Sequence, residues 1–587
     1  MTTTVPGMLA ARVAATPSAT AFHVQGDAGL WQPLSWQDFA EQVERLRGGL
    51  VAAGLRAGDR LALIAPVSLR WELVHHAALA AGAVVVGLDA HDLPQRLAQM
   101  VEQADITVFV AADMAVLAAL TPQRLAATRF VLRLAASGPA PPLGVRALDW
   151  DELHRADGVA QTDDARTVRA DDLATIIFTS GTTGQPRGIA YTHGQVGLAA
   201  AAICGNFPFV DTACHLLCWL PLSNLFQRIV NLAALQQGAA TYLLGDPRQV
   251  MQVVGGVSPD IFVAVPRFFE KLLDGVRSAV DGQPPLRRAL AVWAWNVGRR
   301  RSAHVLQGRQ PPWWLRVQHA AADRFVLARM RRVMGTRLRL MVSGSAPLSE
   351  HILQEFHALG WLVLEAYGLS ENIVPMAMNR VEDFRFGTVG RPMASNEIVV
   401  GDDGAVKVRG PGVFKGYVGD PGPAPLDEAG YYTTGDLGAW DADGHLRLIG
   451  RSSELFKTST GRRISPMQVE AALRDVAGID QAVLIGAGRK FPIALCTLVA
   501  GTVDAPAQAA LQARLAAAIA ALPEHERPRG VLLLARPFSL ERGELTPNLK
   551  LRRAAIETGH AEPIAALYQS LASQPARDGP LQVVCQP

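Results

Sequence analysis

The sequence predicts an α/β protein: a large N-terminal domain of parallel α/β subdomains that runs into a β region, followed by a small α+β domain. Three observations carry this. At 587 residues the chain exceeds what one hydrophobic core serves, so at least two domains are expected. Short apolar runs are repeatedly followed by a Gly/Ser/Thr/Pro break and a helix-like segment, the alternation of parallel α/β architecture. Past residue 395 the texture changes to short strands separated by turns. The expected boundaries are 1–450 for the large domain, 451–562 for the small one and 563–587 for a C-terminal tail without a motif.

Taken in order, the apolar run ATIIF breaks into TSGTTGQPRG (179–188), with hydroxyls at four of five consecutive positions. Glycines let backbone N–H groups approach an anion and short hydroxyls add donors without bulk, which reads as a phosphate cradle; a flexible surface turn is the alternative. It is not a Walker loop, because G-x-x-x-x-G-K-[ST] does not occur. Next, IFVAV precedes the helical RFFEKLLDGVRSAV, LRLMV precedes SGSAPLSEHILQEF, and WLVLEA precedes YGLSEN. In open α/β sheets ligands bind beyond the C-terminal ends of the strands, so the four polar clusters are expected to face one crevice. In the β region, DDG and ADG mark hairpin turns. The small domain reads as a helix (SPMQVEAALRDV), strands at QAVLIG and IALCTLVA, an Ala-rich helix near 507–521 and the strand GVLLLA.

Composition narrows the function. Hydrophobic residues make up 49% and charged residues 19%, an ordinary globular balance, and the net charge of +3 gives no polyelectrolyte argument for nucleic-acid binding. The five cysteines, at 204, 214, 218, 496 and 585, show no paired zinc spacing and read as reduced thiols. No signal peptide and no apolar run of membrane-spanning length is evident, so a cytoplasmic protein is expected. Only six of the 56 basic residues are lysine, so a lysine at a given place needs more explanation than an arginine.

TSGTTGQPRG (179–188), YGLSE (367–371), TGD (434–436), GR (450–451) and LTPNLKLRR (545–553) occur in the same order in the adenylate-forming superfamily of acyl-CoA synthetases, luciferases and peptide-synthetase adenylation domains, which this chain resembles over roughly residues 30–560. LPLSNLFQR (220–228), VPRFFEKL (265–272), the stretch 286–332 and RFGTVGRP (385–392) resemble its long-chain acyl-CoA synthetase branch.

The resemblance implies that ATP activates a carboxylic acid, here a fatty acid, as an acyl-adenylate, and that coenzyme A then displaces AMP. It implies that Thr179, Ser180, Gly181, Thr182, Thr183 and Gly184 wrap phosphates, with Arg187 beside them, and that Thr182 and Glu371 serve Mg2+. Tyr367 matches the residue that stacks on adenine, although an aromatic after a strand end also serves as a core lid; Gly368, Ser370, Ser345, Ala346 and Pro347 fall at the same nucleotide site. Glu371 has a solvated helix-start glutamate as its alternative. Asp436 matches the ribose ligand, with a turn-capping aspartate as its alternative, and Arg451 matches a further nucleotide contact. Lys550 matches the catalytic lysine that neutralises charge at the α-phosphate. The family's small domain is mobile, and its second orientation brings the segment matching KTSTG (457–461) to the thiol, where Gly461 would let the pantetheine arm pass; a tight turn explains that glycine equally.

Three positions depart from the family pattern: Arg187 replaces lysine, Asn224 stands where histidine is usual, and Ser453 occupies the hinge. They keep two alternatives in view, an acyl-AMP ligase that loads an acyl carrier protein and a non-catalytic nucleotide- or acyl-binding homologue. The stretch 286–332 carries eleven arginines against one acid, with Trp293, Trp295, Trp313 and Trp314 interleaved. That composition suits peripheral association with the inner face of a membrane, or helical packing with a solvated arginine face; no nucleic-acid-binding module accompanies it.

Overall fold

The computed structural model describes residues 4–26, 29–89, 92–134, 144–155, 167–179, 186–420, 422–499, 505–520, 522–539, 541–545, 551–572 and 581–586. By internal contacts the chain divides into two units, one of Met1–Leu348, Leu353–Ile398 and Val408–Tyr432, the other of Ser349–Ile352, Val399–Lys407 and Thr433–Pro587.

The first unit holds two sheets. A seven-stranded sheet runs Ala147–Asp149, Phe130–Arg133, Val108–Ala111, Arg60–Ile64, Val84–Gly87, β1 (Leu173–Thr179), β2 (Arg187–Thr192). All its pairs are parallel except β1 with β2, which is antiparallel with Thr179 opposite Arg187. Its inner strands Val108–Ala111, Arg60–Ile64 and Val84–Gly87 are mostly aliphatic and buried on both faces, as parallel strands are. A second sheet of nine strands has β3 (Ile261–Ala264), β4 (Leu340–Ser343), β5 (Val363–Leu369) and β6 (Asn372–Met378) as successive neighbours. β3, β4 and β5 are parallel, whereas β6 returns antiparallel.

Helices start where the sequence supplies caps. The Thr192 side chain accepts from Gln195 N–H, and Gln195 reaches back to the Thr192 N–H, a capping box on His193–Asn206. Helix α1 (Leu225–Gln237) is capped by Asn224, whose side chain accepts from the Phe226 N–H at 3.1 Å, and it ends at left-handed Gly238. The departure at Asn224 is thus a good N-cap residue in an N-cap position. From α1, Arg228 is 2% exposed and donates to the Thr175 hydroxyl of β1 at 2.8 Å. Burial lowers the Arg228 pKa to about 10, opposed by the charge of Glu72, whose carboxylate accepts from Asn231 at 2.7 Å. This buried polar set ties the helix to the sheet that carries the candidate phosphate loop.

In the second unit, β7 (Tyr432–Trp440) pairs antiparallel with β8 (Leu446–Arg451), and DDG and ADG close tight turns with Gly404 and Gly444 at φ 81 and 80. Beyond them the helix Pro466–Arg474, the strands Ile479–Ile485, Ile493–Leu498 and Gly530–Leu534 and the helix Ala505–Ile519 stand at the places read from sequence. The last residues form the helix Ala561–Ala572 and the strand Gln582–Gln586, which pairs parallel with Gly530–Leu534. The five cysteines are free thiols. Among the described residues no helix is long and apolar enough to cross a membrane.

The expected run of strand, break and helix needs correcting at two of four places. ATIIF and WLVLEA each lead into an antiparallel partner strand, so both of these candidate loops are hairpin connections. They also belong to different sheets, so the four clusters do not lie along the edge of one.

Buried histidines make this fold acid-sensitive. Burial lowers the His193 and His357 pKa values to about 4 each. As pH falls below about 6.5 the unfolded chain takes up protons that the folded chain refuses, so stability present above that pH is lost progressively down to about 4. His193 alone accounts for about 3 kcal/mol, on the order of 1.4 per pH unit. Urea titrations at neutral pH and near pH 4.5 check this: His193→Gln is expected to flatten the difference.

Candidate active site

The hairpin β1–β2 pins both ends of the hydroxyl-rich loop. Ser180, Gly181, Thr182, Thr183 and Gly184 lie outside the described residues, but their flanks Thr179 and Arg187 face each other across the ladder. Gly188 lets this hairpin pack closely: a Cβ there would stand 3.2 Å from both the Phe178 ring and the Val418 side chain, tighter than ordinary contact. Exposed Arg187 lies over the Tyr417 ring, its guanidinium carbon 4.8 Å from the ring centre.

Tyr417 in turn donates from its hydroxyl to the Glu371 carboxylate at 3.2 Å. Glu371 and Ser370 form the two-residue tip of hairpin β5–β6, because Leu369 pairs directly with Asn372. The helix-start reading of Glu371 is therefore replaced: its main chain is fixed instead by the Phe414 N–H, which donates to the Glu371 carbonyl at 2.9 Å. The Ser370 carbonyl accepts the hydroxyl of Tyr191, a fully buried residue of β2. Thus the two sheets bring Thr179, Arg187, Ser370 and Glu371 together through Tyr191 and Tyr417.

Neither tyrosine was singled out in the sequence. Tyr191 follows the glycine-rich stretch by a few residues, and Tyr417 sits in FKGY of the β region; the only sequence signal is an aromatic near a strand end. Burial is the largest cause raising both phenol pKa values, and the Glu371 charge adds to it, so both stay protonated donors at neutral pH.

Tyr367 is buried at 7% exposure on β5 and Gly368 beside it is exposed. After β4, Ser345, Ala346 and Pro347 are exposed, and Ser345 adopts φ 70, a left-handed conformation costing a non-glycine residue on the order of 1 kcal/mol. Gly344 before them packs against the Phe226 ring.

In the second unit Asp436 and Arg451 are register partners on β7 and β8, joined by an ion pair of 3.0 Å between Arg451 Nε and Asp436 Oδ1. Asp436 is 6% exposed, and its N–H donates to the Thr434 hydroxyl. Gly461 ends the turn between the short strands Phe456–Lys457 and Arg463–Ile464, with φ 80 and its N–H bonded to the Thr458 carbonyl, so the turn itself needs a glycine. Lys550 lies outside the described residues; Leu545 and Leu551 on either side of its loop pair as an antiparallel bridge.

Chemically, the first unit offers a cation and a carboxylate held by one phenol, with the Thr179 hydroxyl at the pinned loop flank. The second offers a buried carboxylate backed by a guanidinium. The first set suits a polyphosphate with its metal, the second a diol.

The profile described as AMP-binding enzyme matches residues 9–418, and that of the AMP-binding enzyme C-terminal domain matches 454–572. Long-chain-fatty-acid–CoA ligase FadD15 of Mycobacterium bovis is 29% identical over 570 residues, covering 92% of this chain and 93% of its own. The peroxisomal long chain acyl-CoA synthetase 7 of Arabidopsis thaliana is 26% identical over 605 residues, covering 93% of this chain and 83% of its own. The adenylation domain of the carboxylic acid reductase from Segniliparus rugosus, solved with AMP and a co-purified carboxylic acid, superposes with a TM-score of 0.74 at 19% identity over 97% of this chain and 94% of that one, a likeness of fold. The chain belongs to the AMP-binding enzyme family, in its acyl-CoA ligase branch.

Proposed function

We propose that this protein activates a fatty acid with ATP and passes the acyl group to the thiol of coenzyme A. In the first step a carboxylate oxygen bonds to the α-phosphorus as the bond to pyrophosphate breaks. In the second, the thiol sulfur bonds to the acyl carbon, AMP leaves with its oxygen, and the thiol proton goes to solvent. The observation that carries the reading is the linked set Arg187, Tyr417 and Glu371 next to the pinned loop, which suits a phosphate–metal group in charge and type. Full-length similarity to ligases named for long-chain fatty acids supports the acid class and the acceptor.

Within this reading Thr179 to Gly184 and Arg187 hold the phosphates. Glu371 and Thr182 would hold Mg2+, which when bound offsets phosphate charge. Tyr367, with Gly368 and Ser370, faces the adenine, Ser345 to Pro347 border it, Asp436 accepts from the ribose hydroxyls and Arg451, its ion-pair partner, holds that carboxylate in place. Lys550 neutralises charge developing at the α-phosphate, and Gly461 borders the path of the pantetheine arm. The same reading takes 1–450 as the AMP-binding domain, 451–562 as the small domain and 563–587 as its tail, a functional division that differs from the contact-based one at Tyr432 and Thr433.

The test is pyrophosphate release with ATP and magnesium across short, medium, long-chain and aryl acids, with and without coenzyme A. Release with long-chain acids and thioester formation with coenzyme A is the expected result. Acid-dependent pyrophosphate without thioester would point to a carrier protein as acceptor, and silence across the panel would remove the reading.

A further inference from the structure

The arginine-rich stretch forms two helices, α2 (Pro285–Leu306) and α3 (Trp313–Ala322), followed by a short π-helical turn at Asp323–Leu327. One stripe of α2 is core: Ala291, Ala294, Trp295, Gly298 and Ser302 are buried at helical spacing. A Cβ at Gly298 would stand 2.1 Å from the Ala358 carbonyl oxygen, so this side is seated closely on its neighbour. Arg299 extends the seat through an ion pair with Glu355 at 2.9 Å. Helical packing therefore explains half of the segment.

It does not explain the other half. Leu286, Leu290 and Trp293, spaced by four and three, form a second apolar stripe on α2, and Leu286 is 88% exposed. On α3, Trp313 and Val317 are 71% and 63% exposed at a spacing of four, and Phe325 just beyond is 60% exposed. A solvated arginine face has no use for six large apolar side chains in water. The stretch 286–332 carries eleven arginines against one acid, Asp323; three of them are held in ion pairs, Arg331 with Asp323, Arg299 with Glu355 and Arg288 with Asp281, and the excess of positive charge remains large.

We propose that the exposed faces of α2 and α3 are a docking surface for an anionic phospholipid bilayer, on which the protein rests peripherally. Tryptophan, leucine and phenylalanine side chains enter the boundary between headgroups and acyl chains, while arginines meet the lipid phosphates. Charge selects this occupant. A second copy docking by two-fold symmetry would press one arginine-rich surface on its twin, and repulsion opposes that contact. Nucleic acid would satisfy the arginines but leave Leu286 and Val317 in water. The inference needs no particular substrate; with the proposed fatty acid, it places the enzyme where that acid partitions.

Sedimentation with vesicles of pure phosphatidylcholine, and of phosphatidylcholine with one third phosphatidylglycerol, tests this on the full chain without ATP or acid. Failure of the ligase reading therefore leaves the result untouched. The wild type is expected to partition at least tenfold more strongly onto the anionic vesicles, since each arginine near such a surface contributes roughly fivefold. A Trp313→Ser, Val317→Ser, Phe325→Ser variant and an Arg309→Glu, Arg316→Glu, Arg324→Glu variant are each expected to lose at least tenfold, with thermal unfolding unchanged. Equal partition onto both vesicles overturns the proposal. So does anionic binding that the serine variant keeps, which would mark a mere polyanion site, or a variant that changes only the oligomeric state.

Discussion

Lys550→Ala is expected to lower acid-dependent pyrophosphate release by about 10²–10³ while ATP binding stays close to wild type, the scale of removing one preorganised charge donor from a transition state. Negative charge on the phosphates shifts as the bond to pyrophosphate breaks, and only a group aimed at the changing charge accelerates the step. An ammonium on a long flexible stem does this as a point charge. Lys550→Arg keeps the charge but spreads it over a planar fork, so it is expected to recover part of the loss and not all of it. The chain writes arginine at 50 of its 56 basic positions, yet keeps lysine here.

The flanks give a reason to expect a clean experiment. Leu545 bridges Leu551, and the Arg552 N–H donates to the Glu544 carbonyl at 2.8 Å. Glu544 is 5% exposed and accepts from the Ser539 N–H at 3.0 Å and from Arg542 at 2.9 Å. None of these contacts uses the lysine side chain, so Lys550→Ala should unfold at the wild-type temperature. Calorimetric ATP titration beside the pyrophosphate assay separates the outcomes. A variant that adenylates at the wild-type rate would sink the catalytic assignment, and one that loses ATP binding as well would make Lys550 a binding residue.

Much of this arrangement was legible in the sequence because it depends on local chemistry. Aliphatic runs bounded by glycine give strands wherever they lie, and DDG and ADG make tight turns on their own account. Strand direction is another matter. β1 (LATIIFT) and β5 (VLEAYGL) lack a strict polar alternation and are buried on both faces over their central residues, and such a strand reads the same whether its next partner runs parallel or antiparallel. The two hairpins were therefore hidden. Tyr417 was hidden for a different reason: its value lies in touching Arg187 and Glu371, which are 230 and 46 positions away, and no periodicity reports such a contact. In α2 the sequence showed arginine and tryptophan together, but only packing distinguishes buried Trp295 from exposed Leu286.

The second large effect is expected at Glu371. Glu371→Ala removes the one carboxylate in the linked set of the first unit, and it should raise the magnesium concentration needed for half-maximal pyrophosphate release by at least tenfold. A hard cation bridging phosphates loses a charged oxygen ligand, and water replaces it poorly. Glu371→Gln keeps the volume and an acceptor oxygen but not the charge, so it should resemble alanine if the metal role holds, and wild type if Glu371 acts only as a hydrogen-bond partner for Tyr417. Tyr417→Phe distinguishes these from the other side. It deletes the 3.2 Å hydrogen bond to Glu371 and leaves a ring beneath Arg187. A single such bond is worth about 1 kcal/mol, so roughly a fivefold loss is expected, with a smaller shift in magnesium requirement. In the double variant Glu371→Ala, Tyr417→Phe, the tyrosine change should cost little more, because its hydroxyl then has no carboxylate to orient. An unchanged magnesium requirement in Glu371→Ala would exclude the metal role, and full additivity of the two changes would show that Tyr417 acts through Arg187 alone.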